Sequence, residues 1–493
     1  MSIEKYKNKF EGLKSNKPTT TKKKQSKNAD KLIAINPYFE ETPGGMKKFL
    51  HAKHAEDISK QLNCAFDGQY LWHYHDGYFT NDGEAHYRVI GQQLLGEDSK
   101  RHYISESLYY AQNARRLLET TMNPPTNLIN LRNGMLDPLT GEIHSHSPEY
   151  LSTYQLPITY NPKANEPIIH KFVSSVLPED SHDAFYEMIG YMLSNNLHLE
   201  KAFMFTGSGA NGKSVAIDMI SALIGKENVS HVSLQDLDHR FRLGQIEGKL
   251  LNAFSDLPQK PIEDTGNFKA IVSNEPITIE HKNKDPKRIT PTTKLLFSAN
   301  HMVVTPDMSD GYFRRWLLFE FKNKFDAEKR DINLLKKLTT EIALSTLLNK
   351  AIEGLQRLYK NKCFSENESL KESLHKYKTE SNSVNVFYDE VCELSTNEHF
   401  IPMRDFYKEY EKFCKDNGFN RVGVIKFNDR IKNINSDVET SHKKISGISV
   451  KCWIGIKFKD ECENIDIASD VEEMYLSLEK IEREHARKMR LQS

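Results

Sequence analysis

The stretch Ala202–Ile220, AFMFTGSGANGKSVAIDMI, decides how this chain is read. It opens with a short apolar run, Ala202–Thr206, that has the length and character of a buried strand. A glycine-rich turn follows, and Val215–Leu223 then repeats apolar residues at helical spacing. Gly207-Ser208-Gly209-Ala210-Asn211-Gly212-Lys213-Ser214 fits the pattern GxxxxGK[ST] without a gap. Glycines let successive backbone N–H groups face one anion, and the first turn of a helix adds positive potential. In this reading the loop cradles the phosphates of a nucleotide, Lys213 reaches the β- and γ-phosphates, and the Ser214 hydroxyl binds Mg²⁺.

A phosphate loop does not choose between a kinase, a GTPase and a motor. The segments after it narrow the choice. GKLLNAFSDLP predicts an apolar strand, Leu250–Phe254, ending at Asp256. A carboxylate at the C-terminal end of such a strand sits beside the phosphate loop, where it can hold Mg²⁺ through water and orient an attacking water. TKLLFSAN predicts a second strand ending at Asn300, whose amide can hydrogen-bond a γ-phosphate or that water. In SDGYFRRWLLFEF, Arg314 and Arg315 precede a third strand, Trp316–Phe321. Paired arginines there are either salt-bridged strand ends or a finger reaching a neighbouring subunit's γ-phosphate, and the company of Lys213, Asp256 and Asn300 favours the finger. Between the acidic strand and the Asn300 strand, PITIEHKNKDPKRIT reads as two short β-prone runs around a basic turn.

The chain has 493 residues, with Lys+Arg and Asp+Glu both at 68, so net charge makes no case for nucleic acid or membrane. No apolar run approaches the roughly 20 residues a membrane-spanning helix needs, and no apolar signal core opens the chain. A cytoplasmic protein is expected. The cysteines, Cys64, Cys363, Cys392, Cys414, Cys452 and Cys462, form no CxxC and read as reduced thiols. Residues 1–49 are expected to be a basic, largely disordered tail; the first 31 hold ten lysines against three acids. Residues 50–164 should form an N-terminal α+β domain, with hairpins in GQYLWHYHDGYFTNDG and around DPLTG. The motor region should span 165–360, closing with one helical pattern from Leu334 to Leu355. A charged linker over 361–383, a small domain over 384–460 and a charged helical tail over 461–493 complete the expectation. In the small domain, VGVIKFNDRIKN predicts an amphipathic helix presenting Lys426, Arg430 and Lys432, and KKISGISVKCWIGIKF predicts a two-stranded wing carrying Lys443 and Lys444. A helix plus a basic wing is an arrangement that reads duplex DNA.

Taken together, GSGANGKS, NAFSDLP, FKAIVSNEPITIEHKNKDP, KLLFSAN and DGYFRRWLLFEF resemble superfamily 3 helicases of the AAA+ class. The resemblance is closest to the helicase half of phage and plasmid primase-helicases, relatives of the poxvirus replicative primase-helicase. It extends to NLRNGMLDPLTGEIHSHSPEY, similar to the domain preceding the motor in that family, and to FYKEYEKFCKDNGF and CWIGIKF, similar to its winged-helix module. The implied fold is α/β: an AAA+ P-loop ATPase core with an N-terminal α+β domain and a C-terminal winged-helix domain. The implied protein is an ATP-dependent DNA helicase, with ATP and Mg²⁺ bound between subunits of a homo-oligomeric ring, usually a hexamer. The resemblance assigns Asp256 to the acidic second motif, Asn300 to the sensor and the trans-acting arginine to Arg314 or Arg315, with Arg315, nearer the strand, slightly preferred. It points the basic hairpin into a central channel, where His281, Lys282 and Lys284 contact single-stranded DNA, and gives duplex origin DNA to the C-terminal domain.

Two departures stand out. The second motif carries a single carboxylate with Ser255 before it, so Glu275 or Asp264 is expected to assist. The segment before the globular region is too short and simple for a primase, so a separate primase is expected as partner. An origin-binding replication protein whose ATPase serves assembly is the alternative. A small-molecule kinase accounts for neither the basic hairpin nor the paired arginines.

Overall fold

The computed structural model describes residues 36–459, apart from residues 119, 259, 261, 263, 301–302, 304, 306, 327–330, 397–398, 418, 420, 435–437 and 446–447. Most of the expected basic tail and the expected charged tail from 461 lie outside the described residues. Two compact units are distinguished: residues 1–61 with 84–114, and residues 62–83 with 115–493. The division runs through the 50–164 region. In the first unit an antiparallel hairpin, β1 (Phe39–Glu41) with β2 (Lys47–Phe49), is followed by helices His51–Leu62, Gly83–Leu95 and Arg101–Ala114. Tyr38, Phe39, Phe49, Leu95 and Ile104 form its core.

The second unit begins with β3 (Cys64–Phe66), β4 (Leu71–His75) and β5 (Tyr78–Thr80), an antiparallel meander. The β4–β5 turn is Asp76-Gly77, both at positive φ (50° and 94°), which is what a tight two-residue hairpin requires. The next meander is β6 (Ile129–Leu131), β7 (Gly134–Leu136) and β8 (Ile143–His144). Its β7–β8 turn is the expected DPLTG, closed by the Gly141 amide donating to the Asp137 carbonyl at 2.8 Å.

The central region is built on a five-stranded, all-parallel sheet of β9 (Ala202–Thr206), β10 (Val229–Ser230), β11 (Leu251–Phe254), β14 (Lys294–Ala299) and β15 (Trp316–Glu320). The spatial order is β10-β11-β14-β9-β15, so the strand feeding the phosphate loop sits between the Asn300 strand and the arginine strand. Every residue of β9 and β14 is buried, as expected of strands covered on both faces. On one side the helix Glu341–Asn361 packs on His182–Leu193. A Cβ at Gly190 would fall 2.4 Å from the Ala351 carbonyl oxygen, and one at Gly354 2.6 Å from the Glu187 amide. Glu187, wholly buried there, accepts from Arg357 Nε (2.9 Å) and from Ser365 N (2.8 Å) and Oγ (2.7 Å). The basic segment forms the expected hairpin, β12 (Ile277–Ile279) against β13 (Lys287–Ile289).

Two expectations are corrected. The single helical pattern over 334–355 is two helices, Leu334–Leu338 and Glu341–Asn361, because the Thr340 side chain accepts from the Ala343 amide and caps a new start. The charged stretch 361–383 is not a bare linker: it holds the helix Glu368–Glu380. Its charges face outward while Leu370, Leu374 and Tyr377, spaced four and three apart, face inward. The Tyr377 hydroxyl, fully enclosed, donates to the Val303 carbonyl (3.1 Å) and bonds the Tyr312 hydroxyl (2.9 Å).

The C-terminal region comprises helices Ser383–Val391, Met403–Asp416 and Val424–Ile434 around an aromatic core of Phe387, Phe406, Tyr410, Phe413, Phe427 and Trp453. β16 (Cys392–Leu394) pairs with β20 (Ile456–Phe458). β19 (Ile448–Ile454) pairs with β17 (Phe400–Pro402) on one side and with β18 (Glu439–Ile445) on the other, the latter in a seven-residue register. Among the described residues, no disulfide joins the five cysteines. Among the described residues, no helix is long and apolar enough to cross a membrane.

Candidate functional site

The C-terminal ends of β9, β11 and β14 open onto a cavity of about 580 Å³, within the range of small-molecule sites. The phosphate loop forms its floor. Gly207 (φ 147°) is required there, because a Cβ would fall 2.2 Å from Asn211 Nδ2 and 2.6 Å from the Phe321 carbonyl oxygen. Gly212 (φ 92°) is required as well, since a Cβ would meet Val176 at 2.8 Å. The loop is anchored from outside: Asn211 Nδ2 donates to the Phe321 carbonyl (3.2 Å), and the Phe325 amide to the Ala210 carbonyl (2.9 Å).

Lys213 begins the helix Lys213–Ile224 and is only 5 % exposed. Its ammonium donates to three oxygens: Gly207 O at 2.6 Å, Asn211 Oδ1 at 3.0 Å and Asn300 Oδ1 at 2.9 Å. Burial pushes its pKa down, against the nearby Asp256 carboxylate, which pushes it up. Asn300 Nδ2 in turn donates to Asp256 Oδ1 at 2.8 Å. Asp256 sits at positive φ (60°) with its amide held by Ser298 Oγ at 3.0 Å. The structure thus joins three of the expected site residues into one chain, Lys213–Asn300–Asp256. Ser214, exposed at the helix start, lines the same cavity, so its hydroxyl and the Asp256 carboxylate offer the oxygen donors a hard divalent cation takes. Phe172, Val215, Phe325 and Leu335 supply an apolar wall.

The arginines lie elsewhere. They precede β15, whose first residue, Trp316, pairs with Ala202 at the start of β9. A five-residue strand spans roughly 15 Å, so both arginines stand at the edge of the sheet opposite the phosphate loop. The two differ in exposure. Arg315 is 8 % exposed; its Nε and Nη2 donate to Ser273 Oγ at 3.2 and 2.6 Å, and Nη1 donates to the Gly311 carbonyl. Arg314 is exposed, with one long contact to Glu200 at 3.5 Å.

The acids expected to assist Asp256 are not among the residues lining the cavity. Asp264 accepts from the Gly266 amide at the start of the helix Gly266–Val272, and Glu275 is exposed just before β12. The further acid lining the cavity is Asp331, which pairs with Lys337 at 2.6 Å.

On the β12–β13 hairpin, Lys282 is exposed, His281 donates to or accepts from Glu247 Oε2 (2.7 Å), and Lys284 donates to the Tyr70 hydroxyl (2.8 Å). Glu247 also takes Lys287 at 2.8 Å. Burial raises its carboxyl pKa, but the bonds from Lys287 and His281 outweigh this and hold it low. Sequence reasoning passed over His239-Arg240-Phe241-Arg242. Here Phe241 is 47 % exposed, the Arg240 guanidinium lies 5.4 Å from its ring centroid, and Arg240 also pairs with Glu280 beside the hairpin. Basic residues interleaved with an aromatic were the available signal. In the C-terminal region Lys426, Lys432 and Lys444 are exposed, and Lys443 Nζ lies 5.7 Å from the Phe400 ring. Arg430 is drawn inward, donating to Asn382 Oδ1 at 3.0 Å, and its desolvation lowers its pKa.

Comparison with known proteins adds the following. Residues 48–178 match the family described as D5 N terminal like, residues 205–315 a family of unknown function (DUF5906), and residues 379–464 the family described as Poxvirus D5 protein-like. The chain is 24 % identical over 174 residues to the Putative helicase 121R of Invertebrate iridescent virus 3, a match covering 33 % of this chain and 18 % of that protein. The chain therefore spans under a fifth of that relative's length. Among solved structures, the A form apo structure of the NrS-1 C-terminal region aligns with TM-score 0.46 at 12 % identity, covering 82 % of this chain and 99 % of that one. The apo structure of the same region aligns at 0.45 and 11 %, covering 83 % and 99 %. D5-type matches thus lie on both sides of the phosphate loop, over 48–178 and 379–464.

Proposed function

We propose that this chain is an ATP-dependent DNA helicase on an AAA+ core of the superfamily 3 type, acting in replication of a phage, plasmid or genomic-island element. ATP lies in the cavity at the C-terminal edge of the sheet, its phosphates on Gly207–Ser214 and its base against Phe172, Val215 and Phe325. Ser214 and Asp256 would hold Mg²⁺, which would supply charge neutralisation to the phosphates. Lys213 exchanges its contacts with Asn211 and Asn300 for phosphate oxygens. Released from the lysine, Asn300 turns its amide to the γ-phosphate or the attacking water, and Asp256 orients that water and takes up its proton. The observation that carries this reading is the Lys213–Asn300–Asp256 chain: a cation at the start of the helix after β9, and an amide and a carboxylate just past the ends of β14 and β11, mutually fixed where a phosphoryl group would react.

The position of Arg314 supports a ring. At the opposite edge of the sheet it cannot reach its own nucleotide, but it is free to reach a neighbour's; Arg315, enclosed by Ser273 and Gly311, is not. Arg314 is therefore the finger in this reading, against the slight preference for Arg315. Lys282, with Lys284 and His281, carries single-stranded DNA through the channel, and Arg288 and Phe241 extend that surface. The C-terminal module, as a winged helix, meets duplex origin DNA through Lys426, Lys443 and Lys444, while Arg430 braces the fold from within.

A forked-substrate strand-displacement assay with mass measurement of the assembly tests the proposal. ATP-dependent displacement by a ring, lost in Lys213→Ala, is expected. Hydrolysis without displacement would favour the assembly ATPase instead.

A further inference from the structure

We infer that Tyr70 is a base-stacking residue for single-stranded DNA, paired with Lys284, which holds the adjoining phosphate. The inference rests on the reading of the β12–β13 hairpin as a DNA-contacting element. Tyr70 lies outside that hairpin by more than two hundred residues, at the β3–β4 turn, and no motif drew attention to it. The turn is rigid. Asp67 Oδ1 accepts from the Gln69 and Tyr70 amides at 2.8 and 2.7 Å, and Asp67 Oδ2 accepts from Trp72 Nε1 at 2.9 Å. These bonds fix a partly exposed tyrosine with a second aromatic, Trp72, edge-on at 5.9 Å.

Across from it, Lys284 sits 4.5 Å from the Tyr70 ring centroid and donates to its hydroxyl. The other cations of the hairpin divide into two kinds: His281 and Lys287 are held by Glu247, whereas Lys282 and Arg288 are exposed. Lys284 alone among them is paired with an aromatic. A long, exposed lysine held by one neutral hydroxyl is weakly held, so a phosphate displaces that bond readily. The vacated ring is then a preorganised platform. Every base has a π-face, so stacking on such a ring is sequence-tolerant, and a lysine beside it follows the backbone. A purely structural tyrosine would be expected to bury its ring and to keep its hydroxyl on an enclosed partner; the Tyr70 ring is partly exposed and its hydroxyl accepts from an exposed lysine.

The test uses the full chain and a fluorescent oligodeoxythymidine, with affinity measured by anisotropy across a salt series. Tyr70→Ala is expected to bind roughly 5- to 150-fold more weakly with an unchanged salt slope, because stacking is not ionic. Tyr70→Phe is expected to bind like the parent. Lys284→Ala is expected to flatten the slope by about 0.7, the value for one phosphate on a single strand. Tyr70→Leu keeps bulk without a π-face and should match the alanine variant; an unchanged thermal midpoint and circular dichroism spectrum check the fold of each variant. If Lys282→Ala weakens binding and Tyr70→Ala does not, the stacking assignment is overturned and the hairpin reading stands. If neither weakens binding, the hairpin reading falls as well. Tighter binding by Tyr70→Ala overturns the assignment in favour of a contact that occludes the hairpin.

Discussion

Lys213 and Lys284 are both proposed to meet phosphate, yet the molecule treats them in opposite ways. Lys213 is enclosed and donates to three fixed oxygens, one of them on an asparagine that itself holds the acidic residue. Lys284 is exposed and has one neutral partner on a distant turn. The difference teaches what each place is for. A reacting phosphoryl group needs charges already in position, so the cavity couples its polar groups to one another. A strand that slides, as proposed, would need contacts that exchange, and the exposed Lys282 and Lys284 are left that freedom while Glu247 holds His281 and Lys287.

The two arginines probe the comparison most severely. Arg314→Ala is expected to lower hydrolysis by roughly 10³-fold with nucleotide binding retained, the scale of a trans-acting finger. Mixing it with Lys213→Ala should restore part of the activity, since some interfaces then hold both groups; steady-state hydrolysis across mixing ratios is the measurement. Arg315→Ala is expected to show its main effect in the thermal midpoint, because it leaves Ser273 and the Gly311 carbonyl without their partner. Equal effects on hydrolysis from both would collapse the distinction.

Next, Lys213→Ala should lower kcat by at least about a hundredfold, the scale of losing one preorganised donor at a developing charge. Asn300→Ala should follow it rather than add to it, because the two act through one chain; a double-mutant cycle in single-turnover hydrolysis reads this. At the hairpin, Lys282→Ala with Lys284→Ala should lower the salt slope of single-strand binding by about 1.4 and leave basal hydrolysis alone. Coupled effects there would make the hairpin resemble the cavity after all.

The smallest effect concerns a third lysine. Lys294 is enclosed at the start of β14, donating to the Leu197 carbonyl at 3.2 Å with its ammonium 4.2 Å from the Tyr191 ring. Burial pushes its pKa down to about 7. An unfolded lysine titrates near about 10.4, so between these values the unfolded chain holds a proton the folded chain lacks. Stability from this group therefore rises with pH above about 7. Lys294→Met is expected to flatten the rise in urea midpoint between pH 7 and pH 9.

What could be read in advance follows the range of the interactions concerned. Gly207–Ser214 is contiguous, and its glycines are dictated by close approaches within a few turns, so the loop was legible. Asp256 and Asn300 were legible as polar residues ending apolar strands, and parallel pairing brings such ends together. The basic hairpin and the DPLTG turn were likewise local. The enclosure of Arg315 was not, because Ser273 lies far off in the chain and nothing in RRW says which guanidinium turns inward. Arg430 was misleading for the same reason: helical spacing puts it on the polar side, but Asn382, which caps the start of another helix, draws it in. Asp331 enters the cavity only through tertiary packing. The helix over 368–380 was hidden by its charge, since three apolar positions in thirteen suffice once a motor surface receives them.

β15 has a consequence of its own. Just before its leading end stands Arg314, the arginine that the proposed ring would offer to a neighbour, and just past its trailing end the Phe321 carbonyl accepts from Asn211 of the phosphate loop. A strand hydrogen-bonded along its length is stiff, so it behaves as a short rod with a sensor at one tip and a trigger at the other. If the proposed ring assembles this way, each member's occupancy would be felt mechanically by the next without any separate messenger, and firing around the circle would acquire an order.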